Sequence, residues 1–525
     1  MKTPSSSLTQ ITLGNRVDYY PVLSEGLQPD LHDKNIHTYI SKLNKQVFKY
    51  PTKFLDAASP HPVLVTKQHQ EQVKNLHVAL NLAVEDIIER WIKDEDAQFT
   101  NRMPLEPEEE DLLRWMHSNR HLFRPYSERP GSWRPDFLVE HDDSTGAEVF
   151  RICEINARFC WNGYMNAAVG QEAYSAFGLE SRGLEFATNP EGILDGVLNL
   201  FRHDLPLHLV KGEEYGIDIW PFMELMEHRI GVKPRLITPD TLRLLPDTTE
   251  KSGFKLCCLA QPDATSTLKT SSGDIVEEIH QMGLELHQRE LNAFDQEMKR
   301  QISLRCFNDM RTILLAHDKR MLGIIREELG SLVSRDVLST EQATDLERGI
   351  TPTILPGSTA MEKFIASCKI SEGFKDGYIL KPIRGGKGAG ILFGDELDND
   401  DWLARLEPLR EARMKAGKTL YVVQRQIRQP YYDILVGVKG KPERCHMVGT
   451  YHAVGGQFLG LGTWRCSPGR LCAVSDGATW VCSLVRAEEK PATSSRKQIL
   501  RVGAGLLTLG TMLWTVGRIR EAFWK

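Results

Sequence analysis

The sequence lacks several features that would assign it to a class quickly. Its ten cysteines form no Cys-x-x-Cys pair, and its beginning has no apolar core of a signal peptide. Because paired cysteines mark most small disulfide frameworks and zinc modules, we expect neither disulfides nor a structural zinc. Without a signal peptide we expect a reduced, cytoplasmic protein.

The sequence also lacks a large excess of either positive or negative charge. The formal net charge is −5 over 525 residues, so nothing predicts nucleic acid or an anionic membrane as a partner. Hydrophobic residues make up 41% and charged residues 26%, which is typical of globular proteins. This length suits roughly two to four domains.

Long apolar runs are missing except at the C-terminus. Residues 502–517 carry no charge, but they include three threonines and four glycines. A full membrane span needs about 20 apolar residues. Two hypotheses stay open, a terminal helix packed on the body or on another subunit and a short membrane anchor. A membrane partner is therefore expected only through this tail, which follows a linker at 488–497.

Hydrophobic spacing divides the chain into three regions. Residues 1–120 include amphipathic helical patterns at 67–96 and 108–118, which predict an N-terminal helical scaffold. Residues 121–485 mix helix and strand patterns and form the predicted catalytic region. Residues 486–525 are the linker and tail.

The middle region predicts an α+β fold. Residues 133–159 alternate like two strands joined by a polar turn, and 200–250 suggest a strand–helix–strand α/β unit. A helical stretch is expected from about 275 to 330. After residue 376 the patterns are mostly strands, which predicts a largely antiparallel sheet.

The common phosphate-binding loops are absent. The stretch 412–419 ends like a Walker loop but begins with alanine, and the glycines near 385 do not form G-x-G-x-x-G. The glycine-rich stretch 378–397 instead combines an apolar strand ending at Lys381 with the turn RGGKGAG. A strand lysine and free backbone N–H groups suit phosphate. A solvated hairpin tip remains the alternative. The turn contributes Arg384, Gly386, Lys387 and Gly388.

A second polar pattern lies on the predicted 133–159 hairpin. Glu154 and Asn156 share one strand face, and Asp136 and Arg134 share a face of the preceding strand. Carboxylate and amide oxygens suit Mg²⁺. An ordinary polar face with ion pairs is the alternative, but the apolar neighbours would make an unpartnered carboxylate costly.

Three further stretches contain candidate residues. Lys319 ends an apolar run, where a helix-surface lysine is the alternative. The strand exit from Gln424 through Arg425 to Ile427 offers backbone groups to an adenine edge. Arg465 closes a glycine-rich strand over FLGLGTWR and could stabilise developing phosphate charge.

Together these motifs resemble the ATP-grasp superfamily, in particular the circularly permuted branch typified by glutathionylspermidine synthase. That branch has R-x-D, E-x-N, an ATP lysine and a K-P-x-R…G-A loop in this order. The chain has the same order, from Arg134-Pro-Asp136 and Glu154-Ile-Asn156 through Lys319 to Lys381-Pro-Ile-Arg384. The resemblance covers roughly residues 120–485, with ATP-binding subdomains over 310–485.

The resemblance implies a permuted ATP-grasp fold that clamps ATP, with ATP and Mg²⁺ as cofactors. It implies Mg²⁺ ligation by Asp136, Glu154 and Asn156. It implies a flexible lid at 384–390. It implies ATP contacts from Lys319, Lys381, Arg384, Gly386, Lys387, Gly388, Gln424, Arg425 and Ile427. It assigns Arg134 and Arg465 to the transferring phosphoryl group and the tetrahedral intermediate.

The implied reaction is ligation of a small-molecule carboxylate to an amine through an acyl phosphate. The chain departs from the synthase pattern, because its lid lacks the acidic residue and Arg158 and Phe159 replace an Asp-Thr pair. ARFCWNGY and GLGTWR are more similar to ATP-grasp proteins of fungal natural-product clusters, of the fumisoquin type. A phosphotransferase on the same scaffold and a non-catalytic ATP-binding module are the alternatives.

Overall fold

The computed structural model describes residues 7–488 except for 16, 23–28, 47–51, 265 and 415–417. The predicted tail at 502–517 lies outside the described residues, as does the linker beyond Glu488. Within the described part of the chain, no helix is long and apolar enough to cross a membrane.

The N-terminal amphipathic pattern forms a long helix, α3, for two physical reasons. The Thr66 side chain caps it by accepting a hydrogen bond from the backbone N–H of His69 (3.1 Å). Its apolar side chains, such as Leu80 and Ile87, are buried on one face. The helices are α1 (Pro29–Gln46), α2 (Thr52–Asp56), α3 (Lys67–Arg90), α4 (Phe99–Arg102), α5 (Pro107–Ser118), α6 (Tyr164–Ala173), α7 (Pro190–Leu198), α8 (Ile219–Ile230), α9 (Gln288–Asn292), α10 (Gln296–Arg305), α11 (Arg320–Ser334), α12 (Thr340–Gly349), α13 (Thr359–Ile370) and α14 (Asn399–Leu406).

The strands are short except for three long ones, which all belong to the largest sheet. They are β1 (Thr9–Leu13), β2 (Tyr19–Pro21), β3 (Val63–Val65), β4 (Ser132–His141), β5 (Glu148–Asn156), β6 (Leu184–Phe186), β7 (His208–Lys211), β8 (Arg235–Ile237), β9 (Leu242–Pro246), β10 (Phe254–Leu259), β11 (Leu268–Lys269), β12 (Ile275–Glu278), β13 (Met282–Glu285), β14 (Thr353–Ile354), β15 (Tyr378–Pro382), β16 (Leu392–Phe393), β17 (Tyr421–Arg425), β18 (Tyr432–Val436), β19 (Lys441–Val454), β20 (Gln457–Leu461), β21 (Trp464–Ser467), β22 (Thr479–Val481) and β23 (Ser483–Arg486).

Two antiparallel sheets carry the candidate site. The large sheet has seven strands, in the order β22-β21-β19-β4-β5, with β18 and β20 also paired to β19. The small sheet has the order β14-β17-β15-β16. Its buried face packs on α13 and α14 through an apolar cluster that includes Leu380, Val422 and Trp402. Along the sequence, the β4–β5 hairpin of the large sheet comes before the strands of the small sheet, and the other strands of the large sheet come after them.

The remaining strands form three other sheets. The predicted α/β unit is present as β7, α8 and β8, and β7 pairs in parallel with β8 and β13. A four-stranded sheet, β11-β12-β10-β9, adjoins it. The fifth sheet has the order β2-β1-β3-β23-β6, so the N-terminal region contributes strands as well as helices.

Two predicted elements were wrong in detail. The helix expected from 275 begins as strands β12 and β13, because buried Val276 and Leu284 pair with neighbouring strands. The strand expected over FLGLGTWR is two strands, β20 and β21. They separate at Gly462, whose backbone N–H donates to the carbonyl of Thr450 (2.7 Å).

The loop that leaves β5 is held by a buried carboxyl group on β13. Glu285 is 3% exposed and accepts hydrogen bonds from the Trp161 backbone N–H (3.0 Å) and the Cys160 thiol (3.4 Å). Burial raises the pKa of Glu285 from its ordinary 4.5 to about 8. The folded protein therefore keeps this carboxyl group protonated at pH values where the unfolded chain has lost the proton.

We predict that Glu285→Gln weakens the pH dependence of stability. Because the pKa of Glu285 is raised on folding, the protonated carboxyl group contributes fully to stability below pH 4.5, and that contribution is lost as pH rises toward 8. Across that window the wild type should lose about 1.4 kcal/mol of unfolding free energy per pH unit relative to the variant. Urea unfolding at pH 5 to 9 measures this, and parallel pH profiles for the two proteins would contradict it.

Candidate functional site

A cavity of about 290 Å³ lies between the large and the small sheet. The β4, β5, β19 and β21 strands line one side, and the β15 and β17 strands line the other. Its size is near the lower end for small-molecule sites. The predicted residues that line it are Asp136, Glu154, Lys381, Lys387, Gly388, Gln424, Arg425, Ile427 and Arg465.

The register of the β4–β5 hairpin brings the predicted metal ligands together. Asp136 lies opposite Glu154, and Arg134 lies opposite Asn156. Cross-strand partners share a face of a sheet, so both carboxylates point the same way. The fifth residue of this wall, Arg465, comes from β21 on the other side of β19.

Two arginines hold the carboxylate of Asp136. The Arg134 guanidinium donates to Oδ1 of this carboxylate at 3.1 Å, and the Arg465 guanidinium donates to Oδ2. Arg134 also donates to the carbonyl of Asn162 at 3.3 Å, which ties it to the loop after β5. Although burial acts to lower the pKa of Arg465, Asp136 raises it above the ordinary value. Both catalytic arginines predicted from the sequence are therefore part of one ion-pair network.

Two lysines converge on Glu154. Its Oε2 atom lies 3.2 Å from Nζ of Lys319 and 3.7 Å from Nζ of Lys381, and its Oε1 accepts a hydrogen bond from Asn156 (3.4 Å). Burial acts to raise the pKa of Glu154, but the two ammonium groups, with Lys319 first, hold it well below its usual range. Glu154 is therefore ionised at neutral pH.

The two lysines reach this carboxylate from different elements. Lys381 extends from β15, is 5% exposed and also donates to the carbonyl of Cys153 (3.3 Å). Lys319 follows a π-helical turn at Thr312–Ala316 and immediately precedes α11. Its side chain is buried and donates to the carbonyl of Gly385 (2.7 Å), at the base of the predicted lid. The surface-lysine alternative for Lys319 is therefore wrong.

The donor set around Glu154 fits a hard divalent cation. Asp136 and Glu154 supply carboxylate oxygens on one face, and Asn156 donates through its NH₂ group, which leaves its amide oxygen for a metal. Oxygen ligands of this kind suit Mg²⁺ together with phosphate oxygens. In this structure arginine and lysine groups balance the carboxylate charge at the same atoms.

Buried polar atoms in the cavity lack partners. Among the described residues, no hydrogen-bond partner reaches Oε1 of Gln424, Nε of Arg465 or Oγ1 of Thr351. All three residues line the cavity. Because a buried unsatisfied polar group costs about 1–3 kcal/mol, water or a polar ligand in the cavity would stabilise these atoms.

Part of the cavity lining is apolar and was not predicted from the sequence. Ile379, Phe393 and Val448 belong to it, and the rings of Tyr431 and His446, which also line the cavity, lie 4.1 Å apart between centroids at an interplanar angle of 31°. Their signal was absent from the sequence, because these side chains come from separate strands and loops. An apolar slot beside the 424–427 strand exit suits a flat heterocycle.

The predicted lid residues have different surroundings. Arg384 does not line the cavity, because it forms a two-pronged ion pair with Glu109 of α5 (2.9 and 2.7 Å). Lys387 has a positive φ of 61° and its Nζ lies 3.2 Å from Glu214. Gly388, at φ 76°, faces the cavity, whereas Gly386 does not line it.

Arg425 lines the cavity but its guanidinium is engaged elsewhere. It forms a two-pronged ion pair with Glu140 of β4 at 2.8 and 2.7 Å. This contact joins the small sheet to the large one beside the cavity. The backbone N–H of Gln426 is likewise engaged, since it donates to the carbonyl of Gly377 (2.8 Å).

Arg158, which stands where the synthase pattern has an acid, is a further buried cation. It is 8% exposed, and its Nε and Nη2 atoms have no hydrogen-bond partner among the described residues. Burial, with a contribution from nearby Arg384, lowers its pKa to about 10. It follows Asn156 by two residues in the chain, and the charged side chains that act on its pKa are Arg384, Glu109 and Asp318.

Comparison with known proteins agrees with this architecture. The chain is 35% identical over 467 residues to the "ATP-grasp enzyme ankG" of Aspergillus thermomutatus, which covers 87% of this chain and 94% of that protein. The family described as the AnkG N-terminal domain matches residues 76–315.

Two solved structures align with most of the chain at low identity, and the first of them supports the same fold. A glutathione synthetase-like effector (GSS30) from Globodera pallida aligns with 87% of this chain and 98% of its own, with a TM-score of 0.50 and 11% identity. A putative gamma-glutamylcysteine synthetase from Methylobacillus flagellatus KT aligns with 78% of this chain and 88% of its own, with a TM-score of 0.36 and 11% identity. On its sequence identity and coverage, the protein belongs to the family of the fungal ATP-grasp enzyme ankG.

Proposed function

We propose that the protein is an ATP-dependent carboxylate–amine ligase that forms an amide through an acyl phosphate. The observation that carries the proposal is Glu154, ionised between Lys319 and Lys381 at the edge of a cavity between two sheets. Family membership supports ATP-dependent ligation in general. The resemblance to natural-product enzymes supports small-molecule biosynthesis as its context.

We infer that ATP lies between the two sheets. The apolar slot at Ile379 and Phe393 and the strand exit at 424–427 would hold adenine. Lys319 and Lys381 would pair with phosphate oxygens, and Asp136, Glu154 and Asn156 would hold Mg²⁺. The ion supplies charge neutralisation to the phosphate oxygens when it is bound.

We further infer that this fold is circularly permuted. The carboxylate hairpin, β4–β5, precedes both ATP lysines in the chain, which is the reverse of the ordinary ATP-grasp order. The return of the chain to the large sheet at β19 supports the same interpretation. The glycine turn at 385–390 would then cover the phosphates.

The protein's part in the reaction is positioning and charge stabilisation. Arg134 and Arg465 are prearranged by Asp136, so they would face charge that develops on the phosphoryl group. The substrate carboxylate would attack the γ-phosphate and release ADP, and the amine would then displace phosphate from the acyl carbon. Arg158 would bind the carboxylate of the acid substrate, because its buried Nε and Nη2 groups have no hydrogen-bond partner among the described residues.

Nucleotide binding tests the roles of Lys381 and Glu154 without knowledge of the substrate. Lys381→Ala should weaken Mg·ATP binding about tenfold to a hundredfold, because a charge-assisted hydrogen bond contributes about 1.5–3 kcal/mol. Glu154→Ala should abolish the dependence of ATP affinity on Mg²⁺. Isothermal titration calorimetry with ATP, with and without Mg²⁺, measures both.

A matched control lies on the same subdomain. Lys369 is exposed on α13, away from the cavity, so Lys369→Ala should bind Mg·ATP like the wild type. Thermal melting of each variant checks its folding. If Lys381→Ala binds Mg·ATP with wild-type affinity and Glu154→Ala keeps the Mg²⁺ dependence, the proposed ATP and Mg²⁺ site is wrong.

Hydroxylamine trapping separates a ligase from a phosphotransferase. With ATP, Mg²⁺ and a panel of carboxylic acids, we expect a hydroxamate and equimolar ADP, because hydroxylamine captures an acyl phosphate. Mass spectrometry identifies the product. A stable phosphorylated compound in place of the hydroxamate would favour the phosphotransferase.

The same assay tests Arg158. Arg158→Leu should bind Mg·ATP within about twofold of the wild type but need at least tenfold more acid for half-maximal hydroxamate formation. An unchanged requirement for the acid would exclude Arg158 from its binding site.

A further inference from the structure

Three buried side chains with metal-binding atoms meet between the β13-β7-β8 sheet and the β11-β12-β10-β9 sheet, apart from the ATP cavity. His208 is the first residue of β7, while Cys258 on β10 and Glu277 on β12 are cross-strand partners. Among the described residues, these three form the group of His, Cys, Asp or Glu side chains whose ligand atoms lie close enough together to hold one metal ion. The residues are distant in sequence, so no short motif marks them.

The spacing of their atoms suits a tetrahedral ion. Nε2 of His208 lies 3.7 Å from Oε1 of Glu277, and Sγ of Cys258 lies 3.8 Å from the same oxygen. All three ligand atoms lie within 4.8 Å of one another. Zinc bonds of about 2.0–2.3 Å in a tetrahedron place ligand atoms roughly 3.3–3.8 Å apart. Small adjustments of these side chains would therefore bring all three onto one ion.

His208 supplies an independent observation. Its side chain is fully buried, and neither ring nitrogen has a hydrogen-bond partner in the described part of the chain. A buried imidazole without partners is costly, whereas a neutral imidazole that ligates a metal is common. An ion at this point would satisfy the ring.

The charges around the cluster can also balance a divalent cation. The Arg235 guanidinium lies 2.9 Å from the other oxygen of Glu277 and pairs with Asp263 at 2.7 Å. This contact leaves Oε1 of Glu277 toward His208 and Cys258. The positive charge of Arg235 is balanced by Asp263. The two positive charges of Zn²⁺ are then balanced by the Cys258 thiolate and the Glu277 carboxylate. Arg235 and Asp263 also line a surface pocket.

We propose that His208, Cys258 and Glu277 bind a Zn²⁺ ion that links the β7–β8–β13 sheet to the β9–β12 sheet. Nitrogen, sulfur and oxygen donors in a tetrahedral set favour zinc over magnesium or calcium. The thiol proton of Cys258 leaves to solvent as the Zn–S bond forms, and a water molecule takes the fourth position. The expectation of no structural zinc rested on missing Cys-x-x-Cys pairs, which this site does not use.

Metal analysis of the full chain tests the proposal. After incubation with Zn²⁺ and dialysis against buffer with a weak chelator, the wild type should retain about one zinc per chain by mass spectrometry of the metal. Cys258→Ser and His208→Gln should each retain less than about a fifth of that amount. Cys257→Ser is the matched control, because Cys257 is equally buried and adjacent on the opposite face of β10, and it should keep the zinc.

A second measurement avoids variants that fail to fold. Wild-type protein loaded with Co²⁺ should show the absorption of a tetrahedral ion with a thiolate-to-cobalt charge-transfer band, and added Zn²⁺ should remove both. Equal zinc retention in wild type and Cys258→Ser would indicate adventitious binding and overturn the site. Absence of retained zinc and of the cobalt spectrum in the wild type would overturn it as well.

Discussion

The site depends on one partly buried carboxylate held between two buried ammonium groups. Glu154 has low exposure, and an unpaired carboxylate there would be strongly disfavoured. Lys319 lies just before α11 and Lys381 lies on the small sheet, so their attraction to Glu154 also joins these elements to β5. Removal of one partner from such a buried pair typically costs about 3–5 kcal/mol. The charges that prepare the cavity for phosphate therefore also hold its walls together.

The rest of the site extends this arrangement across the large sheet. Asp136 lies beside Glu154 through the register of β4 and β5, and it positions Arg134 and Arg465. Rigid strands carry these groups, so a substrate would meet charges that are already oriented. The glycine turn is the exception, because its backbone bends through positive φ angles and its Lys387 reaches the neighbouring α/β unit.

Much of the core of the site follows from local sequence rules. Alternation along a strand places Glu154 and Asn156 on one face, and an apolar strand ending in Lys381 directs that lysine into a cleft. Long-range partners do not follow from such rules. Arg384 pairs with Glu109 far away in the chain, and the rings of Tyr431 and His446 meet only through the pairing of β18 with β19. The helix expected from residue 275 failed because sheet pairing decides the structure of such short apolar segments.

A crystal structure with Mg²⁺ and a non-hydrolysable ATP analogue tests the central claim most directly. The account predicts adenine against the 424–427 strand exit, phosphates at Lys319 and Lys381, and the ion on Asp136, Glu154 and Asn156. The same structure would show whether Lys319 and Lys381 leave Glu154 to contact phosphate. Nucleotide bound at another cavity, with the Glu154 ion pairs unchanged, would contradict the account.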